Sequence, residues 1–253
     1  MIYEYKKDFN ISYSTVDRSG KLGLVELMNL NQDMITEYLG SIKSDNKTLR
    51  EKFSAAWIYT RTKTKLIDLP FWNTKTQAKT FLISKSPIRI ELETDIFDEK
   101  EKLLCALKTE MCAIDFEARK ICPLAKIEFP EEMETGPSNI PEPFDRMKFS
   151  FEDSDIVYSQ KVYASDTDFT NHTNNARYVK YLMNTFDKDL YDSKTITGFE
   201  IAFSKESQSG DELQIWKKEN EDNEFAFQIT KAGEAVVKAA LQFSDEVKVW
   251  NEI

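Results

Sequence analysis

Cysteine is scarce: Cys105, Cys112 and Cys122 are the only three, seven and ten residues apart. Their odd number and spacing suit neither a zinc site nor a secreted disulfide framework, so they read as structural thiols. No run approaches the roughly 18 apolar residues of a spanning helix. The first residues, Met1 to Lys7, lack the basic head and apolar stretch of a secretory leader. A cytoplasmic protein without a membrane span is expected. Basic residues are outnumbered 34 to 44, for a formal charge of −10. Such a field repels nucleic acid, and an acidic protein partner would need a local basic patch. No metal or cofactor is expected. Histidine is rarer than cysteine, because His172 is alone.

What is present describes a folded protein: 41% hydrophobic and 31% charged residues, with 17 Phe and 10 Tyr. The 253 residues suffice for two ordinary domains. Residues 130–147 hold four of the seven prolines with little apolar periodicity, the composition of a linker. They separate an N-terminal domain, 1–129, from a C-terminal domain, 148–253. On both sides the order of elements is the same: a short strand, a polar turn, an amphipathic helix, a variable connection and a run of strands. That order implies an internal duplication.

In the first half, Asp17-Arg18-Ser19-Gly20 leads into Leu24, Leu27, Met28, Met34, Ile35 and Leu39 at helical spacing, with Gly40 as a stop signal. In the second, Asp166-Thr167-Asp168 precedes a helix with Tyr178, Val179, Leu182 and Phe186 on one face. The β segments are plainer. Phe81, Ile83, Ile88, Ile90, Leu92 and Ile96 turn at Asp98–Glu101 into a return strand, Leu103 to Phe116. Leu213–Trp216, a turn over Glu219–Asn223, Phe225–Ile229, a turn at Ala232-Gly233 and Ala235–Phe243 repeat the pattern as an antiparallel meander. One helix and a run of antiparallel strands pack economically when the sheet wraps the helix.

The segment that carries chemistry is Asp168-Phe169-Thr170-Asn171-His172-Thr173-Asn174-Asn175-Ala176-Arg177-Tyr178. It places an imidazole, four residues after a carboxylate, at the mouth of a helix. Asn174 and Asn175 can cap free backbone N–H groups there. The helix start can also receive a developing oxyanion.

Asp-x-x-x-His-x-Asn-Asn-x-x-Tyr resembles the hot-dog thioesterase signature. In its doubled form the chain, from Tyr13 to about Phe243, resembles the acyl-acyl-carrier-protein thioesterases of plants and bacteria. The resemblance implies an α+β fold of two tandem hot-dog domains, each an antiparallel sheet wrapped around a central helix. It puts the catalytic aspartate on Asp168 and the histidine on His172. The family's later glutamate, in a pattern close to Glu-Tyr-Arg-Arg-Glu-Cys, falls on Glu206. Two departures stand out. Thr170 occupies the place of an asparagine, where its hydroxyl can orient water or a carbonyl, and Ser207 replaces the cysteine after the glutamate. In the first half, Lys21 takes the place of the histidine and Gly23 and Leu24 replace the asparagines, so that half reads as a degenerate site given over to acyl-chain binding.

The implied activity is hydrolysis of acyl-carrier-protein thioesters to free fatty acid, which terminates fatty acid synthesis. Asp168, Thr170, His172 and Glu206 are the expected catalytic residues, with either His172 or Glu206 as the base. Asn174 and Asn175 are expected to contact substrate. The partner is an acyl carrier protein bearing its acyl chain, with no nucleic acid involved, and the protein is a monomer or homodimer. The competing readings are an acyl-CoA thioesterase, a hot-dog dehydratase and a non-catalytic acyl-binding module.

Overall fold

The computed structural model describes residues 2–220 and 223–245, so the turn over Glu219–Asn223 includes two positions outside the described residues. The chain divides into two compact units, one of Met1–Ser12 with Asn29–Pro143, the other of Tyr13–Met28 with Phe144–Ile253. Among the described residues no helix is long and apolar enough to cross a membrane.

The first unit carries β1 (Glu4–Asn10), β2 (Ala55–Leu66), β3 (Lys75–Ser86), β4 (Arg89–Asp98), β5 (Leu103–Asp115) and β6 (Lys120–Cys122). They pair antiparallel in the order β1-β3-β4-β5-β2, with β6 on β5. Alternation selects the inner face: Ile90, Leu92, Thr94 and Ile96 stand opposite Met111, Thr109, Leu107 and Cys105. The helix α1 (Leu24–Ser41) sets Ile35, Tyr38 and Leu39 into one core cluster with Trp57, Leu82, Leu92 and Met111. Each such side chain stabilises the fold by about 1.5–3 kcal/mol when fully buried. Gly40 lies inside the last turn rather than beyond it, and Lys43 takes the left-handed conformation, φ 56°, that closes the helix. A second helix, α2 (Asn46–Phe53), had no apolar stripe to announce it, since Leu49 is its one buried residue. Asp45 caps it by accepting from the N–H groups of Lys47 and Thr48.

Residues 138–143 of the proline-rich segment lie along the opposite face of this sheet. Its carbonyls accept from lysines: Asn139 from Lys65, Ile140 and Glu142 from Lys108, Pro143 from Lys63. Three of its donors go to two buried carboxyls, Glu93 and Asp95. Ser138 Oγ and the Asn139 N–H donate to Glu93, and the Asn139 amide donates to Asp95 at 2.9 Å. Asp95 Oδ1 is buried without a hydrogen-bond partner among the described residues. Burial, with the charge of Glu93 beside it, pushes the Asp95 carboxyl up to about 7.

The second unit carries β7 (Ile156–Lys161), β8 (Thr195–Phe203), β9 (Glu212–Glu219), β10 (Glu224–Lys231) and β11 (Glu234–Ser244). They pair antiparallel in the order β7-β9-β10-β11-β8, the order of the first unit strand for strand. The two helices differ in length, 18 residues for α1 against 9 for α3 (Asn175–Met183). Phe186 lies beyond the end of α3. It leaves the helical path to meet Phe225, Phe243 and Phe227 edge-on at centroid distances of 5.0, 5.5 and 5.8 Å. A short α4 (Lys188–Ser193) follows. Each unit therefore sets a helix against an antiparallel sheet, an α+β architecture made twice. The three cysteines are free and buried, and burial raises each thiol above its ordinary range.

Because the folded state holds the Asp95 proton more tightly than the unfolded chain, stability declines as pH rises from the ordinary carboxyl range through about 7. Asp95→Asn, neutral at every pH, is expected to flatten that decline and to exceed the native protein in urea midpoint at pH 8. Equal pH dependence in both proteins would contradict it. A Cβ added at Gly136 would lie 2.6 Å from the Phe81 ring, which is buried. Gly136→Ala is therefore expected to lower stability by about 1–3 kcal/mol, read from urea unfolding.

Candidate active site

Two turns in the second unit have the same hydrogen-bonded frame. In one, Asp17 Oδ1 accepts from the N–H and hydroxyl of Ser19, at 2.8 and 2.6 Å. In the other, Asp168 Oδ1 accepts from the N–H and hydroxyl of Thr170, at 2.8 and 2.5 Å. The Asp17 N–H donates to the Lys21 carbonyl as the Asp168 N–H does to His172, each at 2.9 Å. The residue at the sharp bend takes positive φ in both, Gly20 at 76° and Asn171 at 66°, a conformation that glycine and asparagine tolerate. Small residues that hydrogen-bond their own backbone favour such turns, and the helix that follows begins at Leu24 in one case and Asn175 in the other.

The frames match and the side chains that project from them do not. Lys21 stands where His172 does. His172 Nδ1 lies 3.2 Å from Thr170 Oγ1, and Nε2 lies 3.0 Å from Glu206 Oε2. The Thr170 hydroxyl has one proton and gives it to Asp168, so its lone pair faces Nδ1 and Nδ1 carries hydrogen. Asp168, Thr170, His172 and Glu206 thus form one line of contacts. His172 and Glu206 remain open to solvent, with side-chain exposures of 41% and 59%, so a reactant can reach them.

Asn174 and Asn175 sit beside this line at the mouth of α3. Asn174 is the N-cap and its side-chain oxygen accepts from the Ala176 N–H at 2.9 Å. Its carbonyl accepts from the Arg177 N–H, and its own N–H donates to Asp166. The Asn175 N–H has no partner among the described residues, and this open donor at the positive end of a helix suits an oxyanion.

Glu206 lies on the loop that follows β8. The next residue, Ser207, is buried and fully engaged. Its N–H donates to the Tyr178 hydroxyl at 3.1 Å, and its carbonyl accepts from the Thr173 N–H at 2.8 Å and the Thr173 hydroxyl at 3.1 Å. Its own hydroxyl meets Thr173 Oγ1 at 2.7 Å and the Tyr178 hydroxyl at 2.8 Å. Sequence reasoning passed over this cluster. Tyr178 reads as an apolar-face residue at helical spacing, and the signal for more was that it, Thr173 and Ser207 each bring a hydroxyl to an otherwise apolar setting. On the far side of the loop, Lys231 reaches the Glu206 carbonyl and pairs with Asp211 at 2.9 Å.

A family profile described as "Acyl-ACP thioesterase N-terminal domain" matches residues 3–131, and one described as "Acyl-ACP thioesterase C-terminal domain" matches residues 151–245. Among curated protein sequences, none matches this chain. Among solved structures, the chain is similar to an acyl-ACP thioesterase from Bacteroides thetaiotaomicron. The identity is 23% and the TM-score 0.86, over 95% of this chain and 98% of that one. It is also similar to a 12:0-ACP thioesterase from Umbellularia californica, at 15% identity and a TM-score of 0.81, over 96% and 98% of the two chains. At these identities the structures speak to the fold, which is the double hot-dog α+β arrangement. The two profiles, which together span most of the sequence, identify the chain as a member of the acyl-ACP thioesterase family, a hydrolase of thioesters carried on acyl carrier protein.

Proposed function

We propose that His172 and Glu206 activate the water that cleaves the thioester, with Asp168 and Thr170 holding the imidazole in place. The observation that carries this reading is the continuous line from Asp168 Oδ1 through Thr170 Oγ1 and the imidazole to Glu206 Oε2. With Nδ1 committed to Thr170, the ring's other nitrogen faces Glu206. The exposed carboxylate is then the group that takes the proton from water. The resulting hydroxide adds to the thioester carbonyl and its negative charge falls on the carbonyl oxygen, where the Asn175 N–H can receive it. The C–S bond then breaks, and the sulfur leaves with a proton returned from the His172–Glu206 pair. A free fatty acid and the carrier protein's thiol are the products, so the reaction ends elongation of that chain. No step in this scheme uses a cysteine nucleophile, and Ser207 at the family's cysteine position supports that.

The first turn supports a division of labour between residues 1–129 and residues 148–253. Lys21 stands in place of the imidazole, and Gly23 and Leu24 offer no amide side chains. We assign the N-terminal half to holding the acyl chain and the C-terminal half to chemistry, with the reaction taking place in the cytoplasm.

His172→Ala and Glu206→Gln are each expected to lower kcat on an acyl-carrier-protein substrate by about 100-fold or more, with folding intact by circular dichroism. A His172→Ala enzyme that turned over at the native rate would remove the assignment. Acyl-CoA and 3-hydroxyacyl substrates assayed alongside are expected to react more slowly than the acyl-carrier-protein thioester.

A further inference from the structure

We infer that Tyr178, Ser207 and Thr173 are positioning residues for this reaction, a buried latch of hydroxyls that fixes the loop bearing Glu206 against the turn bearing His172. The inference rests on the reading of His172 and Glu206 as the reactive pair.

Glu206 itself has little to hold it. Its side chain is mostly exposed, and a flexible carboxylate on a loop samples many rotamers unless its backbone is fixed. Fixing it falls to the neighbouring residue. Thr173 follows His172 in sequence as Ser207 follows Glu206, and the Thr173 N–H donates to the Ser207 carbonyl. One backbone hydrogen bond therefore ties the residue after the imidazole to the residue after the carboxylate. The hydroxyls close the joint: Tyr178 Oη contacts both the N–H and the Oγ of Ser207, and Thr173 Oγ1 contacts its carbonyl and Oγ. Ser207 is only 1% exposed, and Thr173 and Tyr178 are also buried.

A purely structural explanation would have this cluster support the turn. The duplicate turn argues against that. Its residues at the places of Thr173 and Tyr178 are Leu22 and Leu27, both buried, and it keeps the same aspartate-centred bonds. The turn folds with aliphatic side chains at those two places. Buried polar groups are costly unless every one is satisfied, and the buried hydroxyls of Thr173 and Tyr178 occur in the copy that carries the histidine, where the other has Leu22 and Leu27. Their distinguishing consequence is the placement of Glu206.

The test is a double-mutant cycle on kcat with an acyl-carrier-protein substrate. Tyr178→Phe removes one oxygen and keeps the ring contacts with Tyr181 and Phe203. It is expected to lower kcat about tenfold or more while KM changes less than about twofold. In a Glu206→Gln background the same substitution is expected to cost nothing further, because a residue that acts through Glu206 loses its effect when the carboxylate is gone. The pH–rate profile of Tyr178→Phe is expected to move toward that of Glu206→Gln, which a general loss of folded enzyme would not produce. Thr173→Val and Ser207→Ala carry the same cycle if Tyr178→Phe folds poorly. Native kcat in these variants, or losses that multiply with that of Glu206→Gln, would overturn the latch and leave the reactive pair standing. Native kcat in Glu206→Gln itself would instead remove the pair, and the latch with it.

Discussion

Asp168 Oδ1 accepts two hydrogen bonds from Thr170, one from its backbone and one from its hydroxyl. This interaction bends the chain sharply enough to present the next side chain but one to solvent at the mouth of a helix. It also uses up the threonine proton, which orients the imidazole and turns Nε2 toward Glu206. A carboxylate that would ordinarily serve only to close a turn thus sets the direction of His172. The same bonds around Asp17 show that the bend is a property of the backbone frame. The side chain it presents differs between the copies, His172 in one and Lys21 in the other.

The sheets impose a second constraint. In the first unit one face of the strands is taken by α1, so β4 and β5 must place their alternate residues on the opposite face. Those residues, Glu93, Asp95 and Lys108, are polar yet buried, because the proline-rich segment covers them. Proline brings no N–H, so that segment has an excess of carbonyls, and the lysines supply the missing donors. The result is a polar seam between sheet and connector in which one carboxyl stays protonated to higher pH than usual.

Much of this was legible in the sequence. Alternating and clustered apolar residues marked the strands of both meanders, and turn residues marked their ends at Asp98–Glu101 and Ala232-Gly233. His172 stood out because it is solitary and four residues after a carboxylate, and Glu206 was found through resemblance to a family pattern. Other features were hidden for physical reasons. α2 depends on its cap rather than on an apolar stripe. α3 is shorter than its periodicity implied, since Phe186 gains more from the rings of Phe225, Phe227 and Phe243 than from another helical turn. Glu93 and Asp95 look like surface residues until a covering segment is known. Tyr178 shows an aromatic at core spacing, and a one-letter pattern cannot reveal that its hydroxyl meets a serine 29 residues away.

The placement of sulfur has a physiological corollary. Cys105, Cys112 and Cys122 are all buried with their thiols held protonated, and the position next to Glu206 carries an oxygen instead. Thiolates are the species that peroxide and electrophiles attack. The protein therefore offers such reagents no exposed thiol, and the residue beside Glu206 gives them no sulfur to attack.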